Sequence, residues 1–311
     1  MQFNLVVTSK EDGRTLKSVM SHELNMSSTM IKRVKLYGTL EVNGEHATVK
    51  KTLKQGDVVF ARYDDDVGKL NELAEVPILY EDEYFAVVNK PSGMVTHPVH
   101  GHLDDSLLTL LNPSDKPLHP VMRLDRETSG LMIVAKTGHI HKLFSEQDIE
   151  KTYLAAVYGI YDPPEGTIDR PIKRRENSVM IRDVCNEGEE GAHSSVTHYK
   201  TVSVDEDLNI SLVRFKLETG RCHQIRVHST SMGHPLAGDG LYGPNSEDNP
   251  SDAFPLSREI DDKCGRVALH AAKISFVHPV TGEKMSFSSD LPPSIAGLSP
   301  KFSDHLDRKF P

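Results

Sequence analysis

The chain has 311 residues, 37% of them apolar, and a net charge of −9. That length fits one large domain or a small one joined to a larger one, and no apolar run approaches the roughly 20 residues that a membrane-spanning helix needs. Three dispersed cysteines (Cys185, Cys222, Cys264) exclude a disulfide framework and a cysteine-built zinc site, and they point to a reducing, cytoplasmic setting.

The opening MQFNLVVTSKEDG lacks a signal-peptide pattern. Residues 1–63 hold ten Lys/Arg against six Asp/Glu, a balance of +4, which leaves −13 for the other 248 residues. A helix is expected over Gly13 to Leu24, broken by Asn25. Ser27 or Ser28 can cap a second helix, TMIKRVKLYG, which Gly38 ends. On it Met30, Ile31, Val34 and Tyr37 share one face, while Lys32 and Lys35 project from the other. Strand-like TLEVNG and DVVFARY follow, with a hairpin turn at Asn43-Gly44. Basic side chains on an outer helix face suit phosphate contacts, and they equally suit a plain solvated face.

Residues 64–76, beginning Asp64-Asp65-Asp66, read as an acidic linker ending near Pro77. Beyond it, strands are expected at 84–90, 131–136, 152–159, 195–204, 210–220 and 268–279. A helix carrying Ile140, Leu143 and Phe144 follows the second strand, and CHQIRVHSTSMG (222–233) reads as another. The polar insert around 245–262 reads as an exposed loop. Strands in runs with few helices indicate an α+β fold.

No Walker-type loop and no Gly-x-Gly-x-x-Gly occurs, which disfavours a nucleotide-cofactor enzyme. His97, His100 and His102 lie close together in THPVHGH, but without a carboxylate partner pattern they read as polar loop residues, and no metal is expected. Ser129 lies in a Thr-Ser-Gly turn with no Gly-x-Ser-x-Gly elbow, so a serine hydrolase is disfavoured. The informative segment is Arg123-Leu124-Asp125-Arg126-Glu127-Thr128-Ser129-Gly130, at the mouth of the apolar strand LMIVAK. A carboxylate there is positioned to be partly buried yet reachable, and it needs a counter-ion. Arg221, at another strand-to-helix junction, could supply one, and Tyr153 offers a flat ring for a base to stack on. Taken singly, the three read equally as a turn cap, a surface cation and a half-buried strand aromatic.

NKPSGMVTHP (89–98), RLDRETSGLMIVAK (123–136), KTYLAAVYG (151–159), TGRCHQIRVHSTSMGHPLAGDGLYG (219–243) and LHAAKISFVHPVTGE (269–283) together resemble the RluA-type pseudouridine synthases over residues 77–293. The first 63 residues resemble an S4-like RNA-binding module, with Lys32, Arg33 and Lys35 on its RNA-facing helix. The resemblance implies a small S4-like domain (1–63), the linker (64–76) and a catalytic domain (77–311) built on a mixed, mainly antiparallel sheet flanked by helices. It implies isomerisation of uridine to pseudouridine in RNA, without cofactor, metal or membrane. Large-subunit ribosomal RNA is the first expectation for substrate and transfer RNA the second, and a catalytically silent RNA-binding or ribosome-assembly factor is the non-enzymatic alternative. A monomer is the default expectation.

By the same resemblance Asp125 is the indispensable carboxylate, acting as nucleophile on the anomeric carbon or as base toward a glycal. Arg221 would pair with it, Tyr153 would stack on the uracil, and Arg123 would help fill the space of the extruded base. Lys90, Gln224 and Ile225 would contact the substrate, with packing roles open for Lys90 and Gln224. Met122 stands where many relatives carry His before the Arg-Leu-Asp, so altered substrate contacts are expected there.

Overall fold

The structure is a computed structural model that describes residues 2–24, 26, 31, 34, 35, 38–62, 76–99, 102–111 and 118–303. Its contacts divide the chain into two compact units, Met1–Ala74 with His97–Leu110 and Glu75–Thr96 with Leu111–Pro311.

The first unit contains β1 (Gln2–Val6), α1 (Leu16–His22), β2 (Thr39–Val42), β3 (Glu45–His46) and β4 (Val58–Arg62), and its second segment carries most of α2 (Leu107–Leu111). Its four strands are ordered β1-β4-β2-β3. Thr15 caps α1 by accepting from the Ser18 amide, so the helix starts at Leu16, three residues later than Gly13. Asn43 and Gly44 both take positive φ, the backbone that a two-residue turn of the right twist requires. Ile31 and Val34 are buried in a core with Leu16, Val19 and Met20, while Lys35 is exposed. Lys32, Arg33, Asn25, Ser27, Ser28, Met30, Tyr37 and most of the 64–76 linker lie outside the described residues.

The second unit is built on a ten-stranded sheet. It comprises β5 (Ile78–Glu81), β6 (Phe85–Lys90), β7 (His119–Pro120), β8 (Ser129–Ala135), β9 (Glu150–Tyr158), β10 (Glu165–Asp169), β13 (Val196–Asp205), β14 (Ile210–Leu217), β15 (Leu269–Val277) and β16 (Lys284–Ser288). The main order is β10-β13-β14-β9-β15-β8-β6-β5, with β16 on β15 and β7 on β8. Among the described residues only the β15–β8 pairing is parallel, so the sheet is mixed and mainly antiparallel, and the fold is α+β. A separate hairpin joins β11 (Ile172–Arg174) to β12 (Arg182–Val184).

The helices are α3 (Gly138–Ser145), α4 (Gln224–Ser231), α5 (Ser257–Cys264) and the single turns α6 (Pro293–Ala296) and α7 (Pro300–Ser303). Thr137 caps α3, which buries Ile140 and Phe144 against Phe85 and Phe276. The polar insert is not wholly a loop: its last part forms α5, because Ile260 and Cys264, one turn apart, drop into the core beside Tyr158 and Ile295. Ser129 is not in a turn either. It opens β8 and is buried, with its Oγ 2.8 Å from His270 Nδ1 and accepting from Arg266 Nη2 at 2.8 Å.

One row across four strands positions the functional residues: Gly130 (β8), Ala271 (β15), Tyr153 (β9) and Phe215 (β14) are successive partners. Gly130 has φ +117°, and a Cβ there would lie 2.3 Å from the Ala271 carbonyl oxygen, so only glycine lets β8 approach β15 this closely. Residues 123–128 enter the row through β8, and residues 218–223 leave it after β14.

Candidate active site

Both of those loops converge on Tyr153, where a depression is lined by Asp125, Thr128, Tyr153, Arg221, Ile225 and Arg226, among others. Asp125, His223 and Arg226 also line an adjoining cleft of about 570 Å³. The Asp125 side chain is 27% exposed, reachable from solvent yet bounded by protein.

The cation facing Asp125 is Arg226, with Nη1 3.7 Å from Asp125 Oδ2. Arg226 is itself fixed: its Nε and Nη2 each donate to Asp239 at 2.7 Å, a two-pronged pairing between buried groups. The Asp239 carboxylate also accepts from the amides of Leu241 and Tyr242 at 3.0 and 3.1 Å. The Tyr242 ring lies 5.0 Å from the guanidinium carbon and adds a cation–π contact. Burial works against the Arg226 charge, but Asp239 and Asp125 outweigh it and hold the group above its ordinary range. The guanidinium therefore presents a single edge to Asp125 with little freedom to turn away.

Arg221 is not that partner, which corrects the expectation from sequence. Its side chain is exposed, and its Nε donates to the Ser194 carbonyl at 3.1 Å. The cause is local backbone. His223 adopts the left-handed conformation (φ 58°) and α4 starts only at Gln224, so the first helical turn carries Arg226 to Asp125 while Arg221 stays on the rim. Gln224 holds this junction: its Oε1 accepts from the Arg221 amide and Thr219 Oγ1, and its Nε2 donates to the Val196 carbonyl and Thr197 Oγ1. With all four bonds inside the protein, Gln224 is a scaffold residue rather than a substrate ligand.

Lys90 takes the packing role that the sequence leaves open for it. It is fully buried, and its ammonium donates to the carbonyls of Pro91, Met94 and Arg126 at 2.8, 2.8 and 3.1 Å. These bonds tie the loop after β6 to the loop that carries Asp125. Burial, then the nearby Arg266, push Lys90 down to about 7, while Glu127 and Asp125 oppose the shift.

Tyr153 is buried in β9, and burial, then the Asp125 charge, push its hydroxyl above the ordinary range, so it stays protonated. Ile225 is a buried wall and Arg123 an exposed rim residue of the same depression. Met122 is partly buried against the core around Phe85 and Phe144. His223 Nε2 lies 4.0 Å from Asp125 Oδ2, and its Nδ1 is 2.9 Å from Tyr242 Oη. Burial first lowers the His223 pKa, which favours the neutral ring. Asp239, Tyr242 and His223 were missed from sequence, although all lie within the 219–243 segment. In the histidine-rich loop, His102 Nδ1 is 2.9 Å from Asp105 and His100 lies outside the described residues. The cluster that could hold a metal among the described residues is instead Asp125, Cys222 and His223.

The family model described as RNA pseudouridylate synthase matches residues 84–231. The chain is similar to the uncharacterized RNA pseudouridine synthase YjbO of Bacillus subtilis, 36% identical over 296 residues that make up 89% of this chain and 95% of that protein. It is also similar to the ribosomal large subunit pseudouridine synthase D of Vibrio cholerae, 33% identical over 288 residues, 88% and 86% of the two chains. Among solved structures, the human RNA pseudouridylate synthase domain containing 4 matches with a TM-score of 0.57 and 26% identity, over 73% of this chain and 92% of that one.

Proposed function

The chain belongs to the RNA pseudouridylate synthase family and is an RNA pseudouridine synthase, an isomerase, and we propose that Asp125, oriented by Arg226, carries the reaction and that large-subunit ribosomal RNA is the substrate. The observation that carries this reading is the reachable carboxylate of Asp125, faced at 3.7 Å by a guanidinium that Asp239 locks in place.

Conversion of uridine to pseudouridine breaks the bond between the sugar's anomeric carbon and base N1, turns the uracil, and joins the same sugar carbon to base C5. N1 gains a proton and C5 loses one, so atoms balance without redox change or group transfer. Asp125 initiates either by attacking the anomeric carbon, displacing N1 to give a sugar ester that C5 of the turned base then displaces, or by removing the C2′ proton as N1 leaves to give a glycal, the proton returning to C2′ as C5 bonds to the anomeric carbon. In either case Arg226, fixed by Asp239, faces the carboxylate at 3.7 Å and aims it. The protonated Tyr153 gives the uracil a ring to stack on and a hydroxyl to donate, rather than a free phenolate base. The uridine must leave its stack to enter, and Arg123, exposed at the rim, helps fill the space that the base leaves.

Residues 1–63 serve as an S4-like RNA handle, a role supported by their +4 balance and the exposed Lys35. The similarity to the ribosomal large subunit pseudouridine synthase D of Vibrio cholerae supports the ribosomal target. The test uses RNA labelled with tritium at uridine C5, isolated from cells lacking this enzyme and separated into ribosomal and transfer fractions. Release from large-subunit RNA alone is the expected result. Release from transfer RNA alone would overturn the substrate assignment and leave the reaction standing.

A further inference from the structure

Cys222 takes no part in the reaction above, yet it sits beside the group that does. The ligand atoms of Asp125, Cys222 and His223 all lie within 4.8 Å of one another, and Asp125 Oδ2 and His223 Nε2 are 4.0 Å apart. A tetrahedral zinc with ordinary Zn–S, Zn–N and Zn–O bonds places its ligand atoms about 3.4–3.6 Å apart. The Asp125–His223 pair is about 0.6 Å wider than the N···O spacing of such a site, and the Sγ of the exposed Cys222 lies within 4.8 Å of both ligand atoms.

We propose that Asp125, Cys222 and His223 form an inhibitory site for a thiophilic divalent cation, Zn²⁺ foremost, whose binding takes the catalytic carboxylate out of use. The proposal rests on the assignment of Asp125 made above. Three further features support it. The donor set is one sulfur, one imidazole nitrogen and one carboxylate oxygen, which selects Zn²⁺, Cd²⁺ or Co²⁺ over the oxygen-seeking Mg²⁺. The Tyr242 hydroxyl sits 2.9 Å from His223 Nδ1 and also accepts from the Arg182 amide, so it holds the ring with Nε2 toward Asp125 and supplies the outer hydrogen bond that ligating histidines use. A thiolate and a carboxylate together neutralise the 2+ charge, which a site beside Arg226 needs, since that guanidinium would repel an uncompensated cation. Binding releases the Cys222 thiol proton, and the cleft leaves the fourth position to water.

The test titrates the full chain with Co²⁺ in a phosphine-reduced, thiol-free buffer and follows thiolate-to-cobalt charge-transfer absorbance. Cys185 and Cys264 are buried, so the band reads Cys222. A saturable one-equivalent band is expected, displaced by Zn²⁺, unaffected by Mg²⁺ and absent from Cys222→Ser. Zn²⁺ should stop tritium release by wild type, reversibly with chelator, whereas Cys222→Ser should keep its basal release and be at least tenfold less sensitive. No band in wild type, or an equal band in Cys222→Ser, would overturn the cation site and leave Asp125's role untouched. A full band with unimpaired turnover would overturn the inhibition, because the band reads Cys222 alone, and the role of Asp125 would be decided separately by Asp125→Asn.

Discussion

Replacing Arg226 by Gln separates the two jobs that this side chain does. Toward Asp239 it is half of a buried ion pair, and removing one partner leaves an uncompensated carboxylate that only the amides of Leu241 and Tyr242 still solvate. The expected loss of stability is about 3–5 kcal/mol. Toward Asp125 it is a single cation at 3.7 Å. That separation corresponds to about 4.5 kcal/mol at an effective dielectric of 20 and about 1 kcal/mol in bulk water. Asp125 is 27% exposed, so an intermediate loss of about 2 kcal/mol is expected, roughly thirtyfold in rate. The assays are urea unfolding for stability and single-turnover tritium release at saturating enzyme for the rate. Adding Asp239→Asn to Arg226→Gln removes the buried charge altogether. The double variant should recover much of the stability while its rate stays low. Arg221→Ala, which loses only a bond to the Ser194 carbonyl, should stay within about threefold of wild type. A single Arg226→Gln variant with a near-normal rate, beside an Arg221→Ala variant that is crippled, would refute the reasoning and restore Arg221 as the partner.

Lys90→Met should destabilise by about 2–4 kcal/mol, because three loop carbonyls lose a charged donor, and urea midpoints check this. His270 is buried against Ser129, and burial, then Arg266, push it down to about 4 from the ordinary 6.5. Between those values the unfolded chain binds the extra proton. Its contribution, up to about 3 kcal/mol, is therefore full above pH 6.5 and is lost as pH falls toward 4. His270→Gln should flatten the stability profile over that window, and an unchanged slope would contradict the assignment. Changing Lys32, Arg33 and Lys35 together to Gln should weaken RNA binding and reduce the slope of log affinity against log salt by about 0.7 for each single-strand phosphate that is no longer neutralised. An unaltered slope would mean that this helix is not the RNA handle.

Part of the fold is legible in the chain because local chemistry forces it, whereas the roles of Asp125 and Tyr153 are readable only through the family resemblance. Asp125 precedes a strand so apolar that it must be central, and Asn43-Gly44 between two alternating runs allows little but a hairpin turn. Other features depend on geometry that no local pattern carries. Arg221 and Arg226 share one motif, and which of them meets Asp125 is decided by the single left-handed residue His223 and by four hydrogen bonds of Gln224. For Lys90 the resemblance suggests a substrate contact and leaves packing open; the sequence could not choose, because one of its three acceptors, the Arg126 carbonyl, lies 36 residues away. The helix within the polar insert did leave a signal in Ile260 and Cys264, one turn apart, which the surrounding acidic and polar residues outweighed.

The most direct measurement is tritium release from C5-labelled large-subunit RNA by wild type and by Asp125→Asn, with RNA affinity and unfolding followed alongside. Asn preserves the shape of the side chain and removes the charge that Arg226 faces. Turnover should vanish while affinity and stability remain near wild type. Release by Asp125→Asn above a few per cent of the wild-type rate would contradict the central role given to this carboxylate.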